Sequence, residues 1–309
     1  MIDRTRGVRI GVDLGGTKIA AIALDERGAT LGRVRFASPR GDYGQTLDAI
    51  ADAIDQVERQ AGARGTVGIG TPGAISPATG LLRNSNSTWL NGRPIQGDLE
   101  RRLARPVRVA NDANCFALSE AIDGAGADAT VVFGVIIGTG TGAGIVVDRR
   151  VLTGRNAIAG EWGHNPLPWP RDDERPGPAC YCGRHGCIET FLSGPGLAAD
   201  HATVTGVALT PERIAAHATG GDGACLATLD RYTDRMARAL AHVINIVDPD
   251  VIVLGGGLSN VDSLYRTVPA RWDRHVFSDA VATRLLRNAH GDAGGVRGAA
   301  WLWNEDPVR

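Results

Sequence analysis

Three of the five cysteines in this 309-residue sequence fall close together, at Cys180, Cys182 and Cys187, with Gly183 and Gly186 in the turn between the last two. His164 precedes them. Three thiolates and one imidazole complete a tetrahedral, closed Zn²⁺ site of the structural kind. The spacing is not that of a C₂H₂ finger, and no basic helix accompanies it to enter a groove. Three free thiols placed together by accident are the alternative, and the scarcity of cysteine elsewhere weakens it. The expected job of the metal is to pin an irregular loop. Glu161 and Glu189 flank the ligands, so a fixed loop also fixes where these carboxylates point. A carboxylate accepts several hydrogen bonds and suits sugar hydroxyls, although either residue taken singly is equally an ordinary surface acid.

A second kind of chemistry is written in glycine. Three glycine turns follow apolar strands: Gly15-Gly16-Thr17, Gly138-Thr139-Gly140-Thr141-Gly142 and Gly255-Gly256-Gly257. Glycine permits left-handed turns and close approach, which lets backbone N–H groups point at a phosphate. One such turn is more often a plain hairpin; three in one chain favour a nucleotide. Lys18, the only lysine, borders the first turn, and a compact ammonium on a flexible stem suits a phosphate. A coding preference for arginine explains its solitude as well. Gly16-Thr17-Lys18 is not the Gly-Lys-Ser/Thr of a P-loop. The turn at 138–142 runs into another strand, not into the helix that a dinucleotide fingerprint requires.

The third candidate is an acid. Residues 107–110 read as a strand ending in Asn111-Asp112-Ala113-Asn114, with a helix over 115–122. Asp112 caps that helix on the bland reading. On the functional one it is a carboxylate at a strand's C-terminal edge, where open α/β sheets hold ligands. There it would take the proton of an alcohol as the O–P bond forms, with Asn111 positioning the same sugar. Residue chemistry alone leaves the two readings level.

The elements that carry these residues follow an α/β pattern. Apolar runs at 8–13 and 19–24 flank the first glycine turn and predict a β-hairpin. Leu47, Ile50, Ile54 and Val57 recur at helical spacing, and strands are expected at 66–70 and 107–110. The pattern restarts at 131–137, with a strand, a glycine turn and a second strand at 143–147. Gly11-Val12 with Gly15 matches Gly134-Val135 with Gly138 in the same register, a faint internal duplication. A long amphipathic helix follows, with Leu226, Leu229, Met236, Leu240, Val243, Ile244 and Val247 on one stripe and Pro249 just beyond its end. A buried strand is expected at 251–254 and a closing helix at 299–303. Residues 154–178 are irregular, rich in Pro and Gly, and too long for an idle connector.

Bulk composition sets the bounds. The length suits two lobes better than one core. Hydrophobic residues at 43 % and charged residues at 22 % are ordinary for a globular protein. The net charge of −1 supplies no field for a polyanion, which argues against nucleic acid as a partner. The apolar runs are strand-sized and too short to span a bilayer. No charged-then-apolar leader opens the sequence, so the chain is read as cytoplasmic, its cysteines as thiols or metal ligands.

Taken together, these motifs resemble the ROK family of bacterial sugar kinases and sugar-responsive repressors, over essentially the whole length. The resemblance rests on Asp13-Leu14-Gly15-Gly16-Thr17-Lys18, Gly70-Thr71-Pro72-Gly73, Asn111-Asp112-Ala113-Asn114 and Gly138-Thr139-Gly140-Thr141-Gly142. Gly160-Glu161-Trp162-Gly163-His164 and Cys180-Tyr181-Cys182-Gly183-Arg184-His185-Gly186-Cys187-Ile188-Glu189 are its most specific parts. The resemblance implies an actin-like ATPase (ribonuclease H-like) fold, two α/β lobes with an interlobe cleft for ATP and sugar. Residues 1–118, joined by a C-terminal helix at 293–309, would form the smaller lobe, and 119–292 the larger lobe with the zinc loop. By the same resemblance Asp112 is the general base, and Gly73, Asn86, Asn111, Glu161, His164 and Glu189 contact the sugar. Gly15, Gly16, Thr17, Lys18, Thr139 and Gly140 form the phosphate loops, with Gly255 and Gly256 beside the adenosine. Asp13 would hold the water shell of Mg²⁺. His164, Cys180, Cys182 and Cys187 are the Zn²⁺ ligands, so His164 serves both metal and sugar. A homodimer is expected.

The implied activity is ATP-dependent phosphorylation of the 6-hydroxyl of a neutral hexose. The segments at 84–94 and 165–169 look most like bacterial fructokinases with mannokinase activity, which makes D-fructose the expected substrate. Glucokinase, mannokinase or N-acetylhexosamine kinase is the runner-up. The non-enzyme alternative is a sugar-sensing regulator of the same family. Repressors carry a helix-turn-helix ahead of the kinase-like lobes, and Met1 to Gly7 leaves no room for one.

Overall fold

The computed structural model describes residues 7–304. Met1 to Arg6, on which the expectation about a preceding DNA-binding domain bears, and the end of the expected helix at 293–309 lie outside them. In chain order the elements begin β1 (Arg9–Leu14), β2 (Lys18–Leu24), β3 (Thr30–Ala37), α1 (Tyr43–Ala61), β4 (Thr66–Thr71), β5 (Ala74–Ile75) and β6 (Leu82–Arg83). They continue with α2 (Ile95–Leu103), β7 (Val107–Asn111), α3 (Asp112–Ile122), β8 (Val131–Ile137), β9 (Thr141–Val147) and β10 (Arg150–Val151). The rest are α4 (Ile188–Leu192), α5 (Gly194–Thr205), α6 (Pro211–Thr219), α7 (Gly223–Val247), β11 (Val251–Gly255), α8 (Leu264–Thr267), β12 (Arg284–Arg287) and α9 (Gly294–Trp301).

Two five-stranded sheets repeat one plan. The first has the order β3-β2-β1-β4-β7 and the second β10-β9-β8-β11-β12. In the first, β1 pairs antiparallel with β2 and parallel with β4, which pairs parallel with β7. In the second, β8, β11 and β12 are parallel. Each sheet thus opens with a hairpin around a glycine turn and grows by crossover strands, as the duplicated glycine register suggested. Crossover strands need a helix to return, and α1 supplies it between β3 and β4. Asp42 caps α1 by accepting the Gln45 N–H, and Gly62 ends it in the left-handed conformation. Its apolar stripe of Ile50, Ile54 and Val57 is fully buried with Ile10, Val12, Val67 and Ile69 of the sheet.

The chain divides into two compact units: residues 1–127, 144–159 and 292–309, and residues 128–143 and 160–291. The expected division at 118/119 falls within α3, which is continuous to Ile122. The closing helix starts at Gly294, one residue after the start that the resemblance implied and five before the 299 of the apolar pattern, because glycines at 294, 295 and 298 hide that pattern. Its backbone lies directly on its neighbours: a Cβ on Gly11 would stand 2.0 Å from the Val296 carbonyl and one on Gly68 1.9 Å from that of Ala299. Along α7 the apolar stripe is buried as expected at Leu229, Met236, Leu240, Val243 and Ile244, but Leu226 is half exposed. Leu226 stands in the first turn of the helix, next to the Asp222 cap, and Val247 in its last turn is only partly buried, so the stripe is covered along the middle of the helix and less at its ends. No helix of the described residues is long and apolar enough to cross a membrane.

Candidate active-site residues and metal centre

In the first unit the candidate residues collect at the C-terminal edges of the parallel strands. Asp13 lies at the end of β1, Gly70 and Thr71 at the end of β4, and Asn111 at the end of β7. This is the edge at which open α/β sheets bind ligands. Asn111, not Asp112, is the N-cap of α3; its side chain accepts the Ala113 N–H at 2.9 Å. Its amide also donates to the Gly73 carbonyl at 3.1 Å, tying the β7 end to the turn after β4. Gly73 has φ +81°, and a Cβ there would lie 2.2 Å from the Arg83 carbonyl, so only glycine fits. Asp112 opens the helix, where a negative charge is favoured by the helix dipole, and its Oδ1 also receives the Ala113 N–H at 2.8 Å. Burial pushes the Asp13 carboxyl up to about 6, against the opposing pull of Arg35.

The first glycine turn and the Asn84–Ser87 segment are neighbours. A Cβ on Gly16 would stand 3.3 Å from Ser87 Oγ and 4.0 Å from Asn86 Oδ1. Gly15 donates to the Lys18 carbonyl at 2.9 Å, which closes the turn, and Thr17 and Lys18 are exposed. The segment is held by a residue that sequence reasoning missed. Asn91 accepts the Ser85 N–H and donates to the Ser85 carbonyl, both at 2.9 Å. No local pattern announces it; an Asn before Gly92 reads as turn chemistry.

In the second unit the glycine turn at 138–142 joins β8 to β9. Gly138 donates to the Gly140 carbonyl at 3.0 Å, while Glu189 Oε2 accepts the Thr141 N–H at 2.9 Å. Gly255 and Gly256 lie against the end of β8, where a Cβ on Gly256 would meet the Ile137 carbonyl at 2.5 Å. Glu161 is exposed and its side chain makes no hydrogen bond among the described residues.

His164, Cys180, Cys182 and Cys187 present their ligand atoms within 4.8 Å of one another. The His164 Nδ1 to Cys180 Sγ distance is 3.5 Å, and Cys182 Sγ to Cys187 Sγ is 3.6 Å. Tetrahedral Zn²⁺ with Zn–S near 2.3 Å and Zn–N near 2.05 Å requires ligand edges of about 3.8 and 3.6 Å. The donor set and its spacing therefore fit a closed zinc site. His164 turns Nδ1 to the cysteines and leaves Nε2 facing away, 2.9 Å from the Tyr181 hydroxyl. Tyr181 was also missed, since its role depends on the ring of His164 and not on its own neighbours. A second grouping, His217, Asp222 and Cys225, has a simpler account: Asp222 caps α7 by accepting the Cys225 N–H.

Comparison with known proteins identifies the family. The ROK family model matches residues 9–306, and the chain belongs to the ROK family. An N-acetyl-D-glucosamine kinase of Pectobacterium atrosepticum is 41 % identical over 296 residues, covering 94 % of this chain and 97 % of that protein. A ROK hexokinase from Thermus thermophilus superposes with TM-score 0.85 at 31 % identity, covering 96 % of this chain and 97 % of the other. A ROK family glucokinase from Streptomyces griseus, in complex with glucose and AMPPNP, gives TM-score 0.76 at 29 % identity, covering 96 % and 99 %. The fold is accordingly that of the actin-like ROK proteins.

Proposed function

We propose that this ROK protein is an ATP-dependent kinase that transfers the γ-phosphoryl group to the 6-hydroxyl of N-acetyl-D-glucosamine. The observation that carries the sugar is the 41 % identity, over 94 % of the chain, to a protein named as an N-acetyl-D-glucosamine kinase. It replaces the expectation of D-fructose, which rested on two short segments. The hexokinase and glucokinase neighbours support the broader class of sugar kinase.

In this reading Asp112 accepts the proton of the 6-hydroxyl as its oxygen bonds to phosphorus and the bond to the departing ADP oxygen breaks. Asn111, Gly73, Asn86, Glu161, His164 and Glu189 hold the sugar. Gly15 to Lys18, with Thr139 and Gly140, offer backbone N–H groups to the phosphates, and Gly255 and Gly256 adjoin the adenosine. Asp13 would hold Mg²⁺, which neutralises phosphate charge when bound. His164, Cys180, Cys182 and Cys187 would hold Zn²⁺ in a structural role. No Arg or Lys is among the sugar contacts, and three carboxylates are. A sugar phosphate would bring its dianion against them without a cationic clamp, so a neutral sugar is the substrate.

The test is ADP release measured over N-acetylglucosamine, glucose, mannose, fructose and fructose 6-phosphate, compared as kcat/KM. N-acetylglucosamine should lead by tenfold or more. Fructose or glucose leading by that factor would overturn the amino sugar and leave the kinase standing. Activity on fructose 6-phosphate would overturn the charge argument. No ADP release with any sugar would favour the sugar-sensing regulator.

A further inference from the structure

Within the second unit, the Glu189 carboxylate touches the nucleotide-type turn, although its place in the sequence attaches it to the zinc loop. Oε2 accepts the Thr141 N–H at 2.9 Å. The Glu189 N–H donates to the Gly163 carbonyl at 2.9 Å, one residue from the zinc ligand His164. A Cβ on Gly140 would lie 2.7 Å from Oε2, and one on Gly163 would lie 2.0 Å from the Thr141 carbonyl. Gly194 donates to the Gly138 carbonyl at 2.7 Å, fixing the other arm of the turn. Thr139 and Gly140 keep their own N–H groups without a hydrogen-bond partner among the described residues.

We propose that Glu189 is a positioning residue that couples the two substrates. Oε2 holds the turn in the shape that aims the Thr139 and Gly140 amides at the phosphates, and Oε1 is left for a sugar hydroxyl. The sugar half of this inference rests on the proposed kinase reading; the brace on the turn does not. A hydrogen bond to a charged acceptor is among the stronger ones, and a carboxylate shared between two ligands makes each binding event depend on the other. Such coupling is reciprocal for binding free energies. A change in the turn must therefore be felt by the sugar, and a change at Glu189 by the nucleotide.

The test is calorimetric binding on the zinc-loaded chain. A non-hydrolysable ATP analogue with Mg²⁺ is titrated without sugar, and N-acetylglucosamine without nucleotide. Glu189→Ala should weaken nucleotide binding about tenfold or more, the size of a lost charged hydrogen bond. Glu189→Gln keeps an oxygen for the Thr141 N–H, so nucleotide affinity should stay within about twofold while sugar affinity falls. Gly140→Ala should weaken sugar binding roughly tenfold with no nucleotide present, because its Cβ displaces the carboxylate. Wild-type nucleotide affinity in Glu189→Ala, or equal nucleotide loss in the Ala and Gln variants, would overturn the brace. Wild-type sugar affinity in Gly140→Ala would overturn the coupling. A cooperative thermal transition close to that of wild type establishes that each variant is folded; if Glu189→Ala is not, the Gln and Gly140→Ala variants decide. A wild-type chain that binds the analogue but no sugar would sink the proposed function, and the nucleotide titrations would still decide the brace.

Discussion

At the scale of single residues, the junction of β7 and α3 separates two jobs that one acid could have done. Asn111 is the N-cap and shares the Ala113 N–H with Asp112 Oδ1, so the helix keeps its cap when Asp112 is changed. Asp112→Asn should then leave the fold and both affinities largely intact and reduce kcat by roughly 10²-fold or more, the usual size of a lost general base. Near-normal turnover in a folded, metal-loaded variant would remove Asp112 from that role. Asp13 offers a different test, in pH. Burial raises its carboxyl from 3.8 to about 6, so the folded chain holds this proton more tightly than the unfolded one. Stability therefore falls as pH rises from about 4 through about 6, and the full penalty is present above that. Without nucleotide or Mg²⁺, Asp13→Asn should gain thermal midpoint over wild type as pH goes from 4 to 7.5. A difference that does not change with pH would show that Asp13 is not the titrating group. What the sequence made legible here was local: glycines in turns, cysteines a few positions apart, an Asn-Asp at a strand end. Asn91, Tyr181 and the Thr141 to Glu189 bond were illegible because each acts on a partner supplied by the fold.

Among the elements, α7 does more than cover a sheet. Arg235 Nε and Arg238 Nη2 both donate to Glu174 Oε1 at 2.8 Å, and Arg238 Nη1 donates to the Pro168 and Trp169 carbonyls at 3.1 and 2.8 Å. The Pro-rich loop between His164 and Cys180 is thereby fastened to a helix by buried charges, in addition to the proposed zinc ligands at its two ends. Burial acts to raise the Glu174 carboxyl, but hydrogen bonds from Arg238 and Arg235 outweigh it and hold the group at about 2. Its contribution is therefore complete above about 4.5 and lost only as pH falls through about 2. Glu174→Gln removes the anion that both guanidiniums share, leaving Arg235 with Asp200 and Arg238 with Asp234, and should cost roughly 1.5–3 kcal/mol in urea unfolding at neutral pH, the size of a lost hydrogen bond to a charged group. The proposed single Zn²⁺ per chain, counted by metal analysis, should also pass to a chelator faster in this variant. An unchanged unfolding midpoint would mean the network carries nothing. None of this could be read from the irregular stretch 154–178, because the helical arginines lie more than 50 positions further on. Of the strands missed from sequence, the two longest, β3 and β12, share a cause. Each carries exposed arginines beside its apolar residues at a sheet edge, which reads as surface.

For the whole molecule, order along the chain and order in space diverge most at the C-terminus. The repeated sheet plan was visible as a duplicated glycine register, because each copy is built from neighbouring residues. The membership of α9 was expected from the family resemblance and from no local pattern, since the strands it packs on, β1 and β4, lie more than 180 residues earlier. It is held there by backbone contact more than by large side chains. A Cβ on Gly298 would lie 1.6 Å from the Cys115 carbonyl on α3, and main chain cannot move aside as a flexible side chain does. Gly298→Ala gains a little helix propensity, but separating α9 from α3 also lifts it from Gly11 on β1 and Gly68 on β4. The packing loss should win, at roughly 3 kcal/mol or more, the upper end for overpacked cores. Hydrogen exchange gives the sharper reading, because local openings follow cooperative units. Amides of β1 and β4 should lose protection while those of β8 and β11 keep theirs, and the proposed zinc, whose candidate ligands all lie in the second unit, should stay bound. Equal loss of protection in both sheets would mean that the two units unfold as one, and a wild-type midpoint would mean that the close backbone contact of α9 is not what closes the first unit.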